Sequence, residues 1–225
     1  MKAFLLTLAA ASAWALPAIA QAPAPVLIDR AVVRFSAPET GGVRSPRFVF
    51  ERVLAFEARL EALADPDRQQ GSEAFRERHV RAALERHVAE TLLASLRIEP
   101  EPKPEELVRL TEAARLILVQ RVGSALALNQ AARAEGIDDR ELLSILRRQA
   151  RASLYLDRMV SPMLSPSDAE LRNVHKSAPP LLRDQRFEQI APLLRRWYVS
   201  RRLTTALASF YQNARSRVEI TVLSE

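Results

Sequence analysis

The chain has three histidines. Histidine is the side chain most often used for metal binding and for proton transfer near neutral pH. His79 and His87 are eight residues apart in a segment with helical periodicity, which places them on similar helix faces but about 12 Å apart along the axis. One zinc ion cannot bridge that distance, and the sequence has no cysteine and no histidine pair at metal-ligand spacing. His175 stands alone, so we predict no metal site and expect surface histidines.

Other patterns that could support catalysis are weak. None of the five glycines belongs to a nucleophile elbow or to a phosphate-cradling loop. The paired carboxylates Glu105-Glu106 and Asp138-Asp139 could serve as an acid and a base, but both pairs lie at predicted helix starts. Stabilisation by the helix dipole accounts for them there. The sequence therefore predicts a protein that is not an enzyme and needs no cofactor.

A concentration of aromatic residues near the C-terminus is a better candidate for binding. The set comprises Trp197, Tyr198, Phe210 and Tyr211, with Arg195, Arg196, Arg201 and Arg202 around it. Most of these aromatic side chains should pack in a core. Those left on the opposite helix face would form an apolar patch rimmed by arginines that could hold unfolded polypeptide. An acidic protein or an anionic lipid headgroup is the alternative partner, and it would use the arginines more than the aromatics.

The first twenty residues have the three-part order of a secretory signal peptide. Lys2 supplies positive charge, an apolar stretch runs from Phe4 to Ala15, and Ala18-Ile19-Ala20 offers a cleavage site. We predict a signal peptide over 1–20, a mature chain of one domain over 21–225, and a periplasmic location. No cysteine follows the signal and no later segment is apolar enough to span a bilayer, so we expect no integral membrane anchoring.

The charge of the chain is only mildly basic. Removing the signal leaves 32 of the 33 basic residues against 27 acidic ones, a net charge of about +5. The arginines are scattered among glutamates and aspartates instead of forming a dense run, so we expect no nucleic-acid partner.

Hydrophobic periodicity predicts a mainly α fold. Apolar residues recur every three or four positions in most of the chain, whereas the two ends are rich in β-branched residues. The predicted helices span 47–64, 72–97, 104–134, 139–160, 166–175 and 183–214, between a strand over 26–35 and a strand over 217–223. The two strands should pair with each other in a small antiparallel sheet, because an unpaired edge leaves backbone groups unsatisfied.

Start signals support several of these helices. Pro104 fits the first turn of a helix, and Asp138 followed by Glu141 has the spacing of a capping box. Ser165 is the expected N-cap of the short helix, with Pro166 in its first turn.

The order of signal, strand, helices and closing strand resembles the SurA-like periplasmic chaperones. The segments that carry the resemblance are Leu84 to Leu93 with Ile98-Glu99-Pro100 and Pro104-Glu105-Glu106-Leu107 after it, Gly136 to Leu142 with Leu146 to Ala150, Leu164 to Leu171, and Arg217 to Ile220. The stretch from Ser36 to Arg47 departs from the family pattern. So does the short connection from His175 to Gln185, where the family commonly inserts a parvulin prolyl isomerase domain of roughly a hundred residues.

This resemblance implies a SurA-like helical chaperone module without isomerase activity. The expected function is that of a holdase that binds unfolded or extended segments of exported polypeptides, among them outer-membrane protein precursors. The alternative is a structural or adaptor protein of the cell envelope that binds one dedicated partner.

Overall fold

The computed structural model describes residues 29–67 and 75–223. The predicted signal peptide, residues 26–28 of the predicted first strand, and residues 72–74 of the second predicted helix lie outside the described residues. The fold class is confirmed, because the described chain is mainly helical and has one small antiparallel sheet.

Helices make up most of the described chain. They are α1 (Glu51–Ala64), α2 (Glu77–Ser95), α3 (Pro104–Val122), α4 (Ala125–Ala134), α5 (Asp139–Tyr155), α6 (Asp168–Ser177), α7 (Pro180–Arg183) and α8 (Phe187–Arg215). A π-helical turn, Leu156–Val160, and a 3₁₀ turn, Ser161–Leu164, extend α5 toward α6.

The sheet has three strands in the order β2-β1-β3, with β1 at Ala31–Ser36, β2 at Arg47–Phe50 and β3 at Glu219–Val222. The predicted pairing of the terminal strands is confirmed, since β1 and β3 are antiparallel with Val33 opposite Val222. The start of the helix predicted over 47–64 was wrong, because its first four residues form β2. Val49 is fully buried against the sheet core, and β-forming residues on either side of it complete the ladder with β1.

Two other predicted helices are interrupted. The helix predicted over 104–134 ends at Val122, because Gly123 adopts a left-handed conformation with φ +96° that stops α3. Ser124 then caps α4 by accepting the Ala127 N–H. The helix predicted over 183–214 is interrupted after its first residue, because Arg183 ends the single turn of α7 and α8 begins at Phe187.

Three hydrophobic clusters hold these elements together. The bundle core joins α1, α3, α4 and α5 around Phe56, Leu128 and Leu146. The sheet core joins β1, β2, α1 and α2 around Phe35 and Leu92. Helix α1 supplies side chains to both cores and is therefore the central element.

The third cluster is a small satellite core between α6 and the first half of α8, formed by Leu171, Ile190 and Leu194. The second half of α8 reaches the sheet core, where Phe210 and Val218 pack against it. At 29 residues, α8 is about 43 Å long and connects the satellite core to the sheet.

Candidate functional site

A groove of about 920 Å³ lies between the helical bundle and the sheet. Its walls come from α2, α3, α5 with the following π turn, the second half of α8, and the segment that leads into and includes β3. This volume is at the upper end of the range for ligand-binding clefts in proteins. The groove is partly open to solvent, so an occupant need not be small.

Small residues give the groove its depth. Ala82 and Ala89 on α2, Ala114 on α3 and Ala152 on α5 all line it. An alanine on a helix face leaves room that a longer side chain would fill, so the groove can accept bulky side chains from an occupant.

Larger apolar residues also line the groove and remain accessible. Ile117 on α3 is 65% exposed, and Ile220 on β3 is 47% exposed. Ile117 belongs to the apolar run Leu116-Ile117-Leu118-Val119, in which Leu118 is buried in the bundle core. A run of four apolar residues on a helix extends beyond one face, so part of it remains exposed on the groove side.

One wall of the groove is charged. Arg86 and Arg121 both line it and both contact Glu61, at 3.1 Å and 2.5 Å. Glu90 also lines the groove, and its Oε2 accepts from Nε of Arg148 at 3.4 Å.

Behind this wall, Arg148 lies between the buried carboxylate of Glu57 and the partly buried carboxylate of Glu90. Its guanidinium donates to Glu57 as well as to Glu90, and Glu57 also contacts Nδ1 of His87 at 3.0 Å. Burial raises the pKa of Glu57, but Arg148 and His87 outweigh that effect and the net pKa is lowered. Burial raises the pKa of Glu90 to about 7 despite the opposing charge of Arg148. The groove wall thus carries a carboxyl group that titrates near neutral pH.

Three of the four aromatic residues predicted to bind peptide, Trp197, Tyr198 and Phe210, do not line the groove. Trp197 is 49% exposed on α8 and stacks beneath the guanidinium of Arg201 at 5.5 Å. Tyr198 is partly buried against the satellite core and donates its hydroxyl proton to Glu170 at 3.2 Å. Phe210 lies 13 residues beyond Trp197, about 20 Å along the helix, and packs against the sheet core. Tyr211 is within α8, but its side chain lies outside the described part of the structure. A role for these residues in binding peptide stays a prediction.

The expectation of surface histidines was wrong for two of the three. His79 and His87 are both buried, and each contacts a carboxylate. His79 Nε2 lies 2.9 Å from Asp65, and His87 lies against Glu57. An eight-residue spacing on an amphipathic helix places both on the core-facing side, where each needs a polar partner. Within the described ranges, no three metal-ligating side chains cluster around a common point.

Sequence reasoning missed the groove residues because nearly half of them are alanines and leucines that look like ordinary core positions. The surplus apolar residues at 116–119 were the one available signal. Among residues 29–67 and 75–223, no helix is both long and apolar enough to cross a membrane. Comparison with protein-family models, curated proteins and solved structures found no match for this chain.

Proposed function

We propose that this protein is a periplasmic holdase-type chaperone, similar to the SurA-like family, that binds unfolded or extended segments of exported proteins. Its clients include outer-membrane protein precursors, and it has no isomerase activity. The observation that carries the proposal is the open, largely apolar groove with the accessible side chain of Ile117 in its wall.

Binding in this groove would bury apolar surface of the client and of the groove together. Each Å² removed from water contributes on the order of 25 cal/mol, before the cost of ordering the client is subtracted. Such contacts are not directional, so selectivity among apolar segments is modest and release needs no chemical step.

The test is suppression of light scattering by an unfolded outer-membrane protein, titrated with the purified mature chain at physiological salt. We expect suppression near stoichiometric amounts. A folded protein with no effect on scattering would contradict the holdase and favour an adaptor that binds one dedicated partner.

Two adjacent residues on α3 provide a matched pair for the same assay. Ile117 and Leu116 are equally exposed, at 65%, but only Ile117 is among the residues that line the groove. Ile117→Glu places a charge in the path of an apolar client and should weaken client binding about tenfold. Leu116→Glu should leave client binding within about twofold of the unmodified chain. Equal losses of client binding in the two variants would show that the groove is not the site of client binding.

A further inference from the structure

The outer edge of β3 has no strand partner within residues 29–67 and 75–223. β1 occupies the middle of the sheet, so β3 pairs on one side only. All four residues of β3 are exposed. An exposed strand edge presents unpaired backbone groups and is a template for a further strand.

The register identifies which peptide groups face outward. Leu223 donates its N–H to the Val32 carbonyl at 2.9 Å, so these two residues form a hydrogen-bonded pair. In an antiparallel ladder, hydrogen-bonded and non-hydrogen-bonded pairs alternate. Val222 and Ile220, opposite Val33 and Phe35, therefore direct their N–H and C=O groups away from β1.

The side chains of the same two residues lie on the groove side of the sheet. Ile220 and Val222 are opposite Phe35 and Val33, whose side chains are buried in the sheet core. Directly opposed residues share a sheet face. Ile220 and Val222 are nevertheless 47% and 71% exposed, and Ile220 lines the groove.

We propose that an extended polypeptide segment binds as a fourth strand along β3, with every second side chain inserted into the groove. The inference rests on the proposed function and specifies its binding mode. Main-chain hydrogen bonds to Ile220 and Val222 provide sequence-independent affinity, and the alanine-lined groove holds the inward side chains. The free edge of β2 offers no such combination, because no described residue of that strand lines the groove.

The occupant defined by this geometry is a segment in which apolar residues alternate with polar ones. Successive side chains of a strand point to opposite faces, so one set enters the groove and the other meets solvent. Strands of transmembrane β-barrels have that pattern before they insert. A continuous apolar run would place half of its side chains in water.

Peptides methylated on backbone nitrogens test the binding mode. A short peptide in which valine alternates with threonine is compared with two derivatives, one methylated on the valine nitrogens and the other on the threonine nitrogens. Only one set of N–H groups can face β3, so one derivative should bind about tenfold more weakly while the other stays within about twofold of the parent. Equal binding of both derivatives would overturn strand addition but leave the holdase intact. Failure of the parent peptide and of unfolded clients to bind would contradict both.

A pair of protein variants tests the same edge. Val222→Pro removes an N–H that β1 does not use, and Val222→Ala removes the same side chain while keeping the N–H. We expect Val222→Pro to lower affinity for the parent peptide well below that of Val222→Ala, with unchanged circular dichroism. If Val222→Pro fails to fold, the methylated peptides decide the question. A dimer in sedimentation that the parent peptide does not dissociate would assign the edge to a second copy and overturn the proposal.

Discussion

At the scale of single residues, Arg148 connects three helices through ion pairs. It joins α5 to carboxylates on α1 and α2, and its own side chain is only 17% exposed. Burial of a guanidinium lowers its pKa, but Glu57 and Glu90 reverse that effect and hold the pKa of Arg148 above its usual value. The three groups therefore depend on one another for charge compensation.

Replacing Arg148 with Met should cost about 3–5 kcal/mol of unfolding free energy, because the carboxylates of Glu57 and Glu90 lose their counter-charge. Urea denaturation near pH 8, where Glu90 is mostly ionised, measures the loss. The control is Arg81→Met, which removes an exposed i,i+4 pair with Glu77 and should cost about 0.5 kcal/mol or less. Similar losses in the two variants would mean that the buried network contributes little to stability.

Glu90 makes stability depend on pH. Its pKa is about 7 in the folded chain against an ordinary value of 4.5, so between these values the folded state keeps a proton that the unfolded state has released. The stability contributed by protonated Glu90 is thus complete below pH 4.5 and is lost as the pH rises through 7.

Glu90→Gln removes this titration and keeps the shape of the side chain. The unfolding free energy of the unmodified chain, relative to this variant, should fall by roughly 3 kcal/mol between about pH 4.5 and about pH 8. Glu57 is present in both proteins but interacts with Glu90, so only the part of its opposite trend that does not depend on Glu90 cancels in the difference. If the difference in unfolding free energy between the two proteins does not change with pH, the pKa of Glu90 has its ordinary value in the folded chain.

At the scale of elements, helix starts follow local rules. The Asp138 capping box of α5 and the first-turn position of Pro104 in α3 were predicted correctly. The predicted cap of α6 was wrong by two residues, because Ser167 and not Ser165 accepts the Glu170 N–H. Pro166 precedes the cap instead of occupying the first turn. The Ser167 and Glu170 side chains complete a capping box, and the N–H and hydroxyl donors of Ser167 lower the pKa of Glu170.

Ser167→Ala should destabilise α6 by about 1 kcal/mol through loss of the cap, whereas Ser165→Ala should have little effect. Hydrogen exchange of the α6 amides reports the local change even if the satellite core unfolds separately from the rest. Equal protection in the two variants would argue against Ser167 as the cap.

Local rules failed where long-range pairing decides the structure. Phe48 and Val49 fit a helical period in the sequence, but β1 needs a partner on its second edge and Val49 fills the sheet core. The π turn at Leu156–Val160 extends α5 without any sequence signal that we recognise. Local rules could not predict the groove either. Its walls come from five elements, and no single segment of the sequence specifies how those elements are arranged.

At the scale of the whole molecule, the mainly α character and the pairing of the two end strands could be predicted from the sequence. The chain's apolar periodicity identifies helices, and each of the two end segments has few other strands with which it could pair. The division into bundle, sheet and satellite cores could not be predicted, because α1 and α8 each contribute to two of them.

Contact between β1 and β3 also has a consequence for folding. Val33 and Val222 are separated by almost the whole described chain, and closing so long a loop is entropically costly and slow. β3 is short and exposed, so we expect it to dock late during folding and to detach early during local unfolding. We expect the groove to lose one wall, and with it the strand edge proposed to bind a client, whenever β3 detaches.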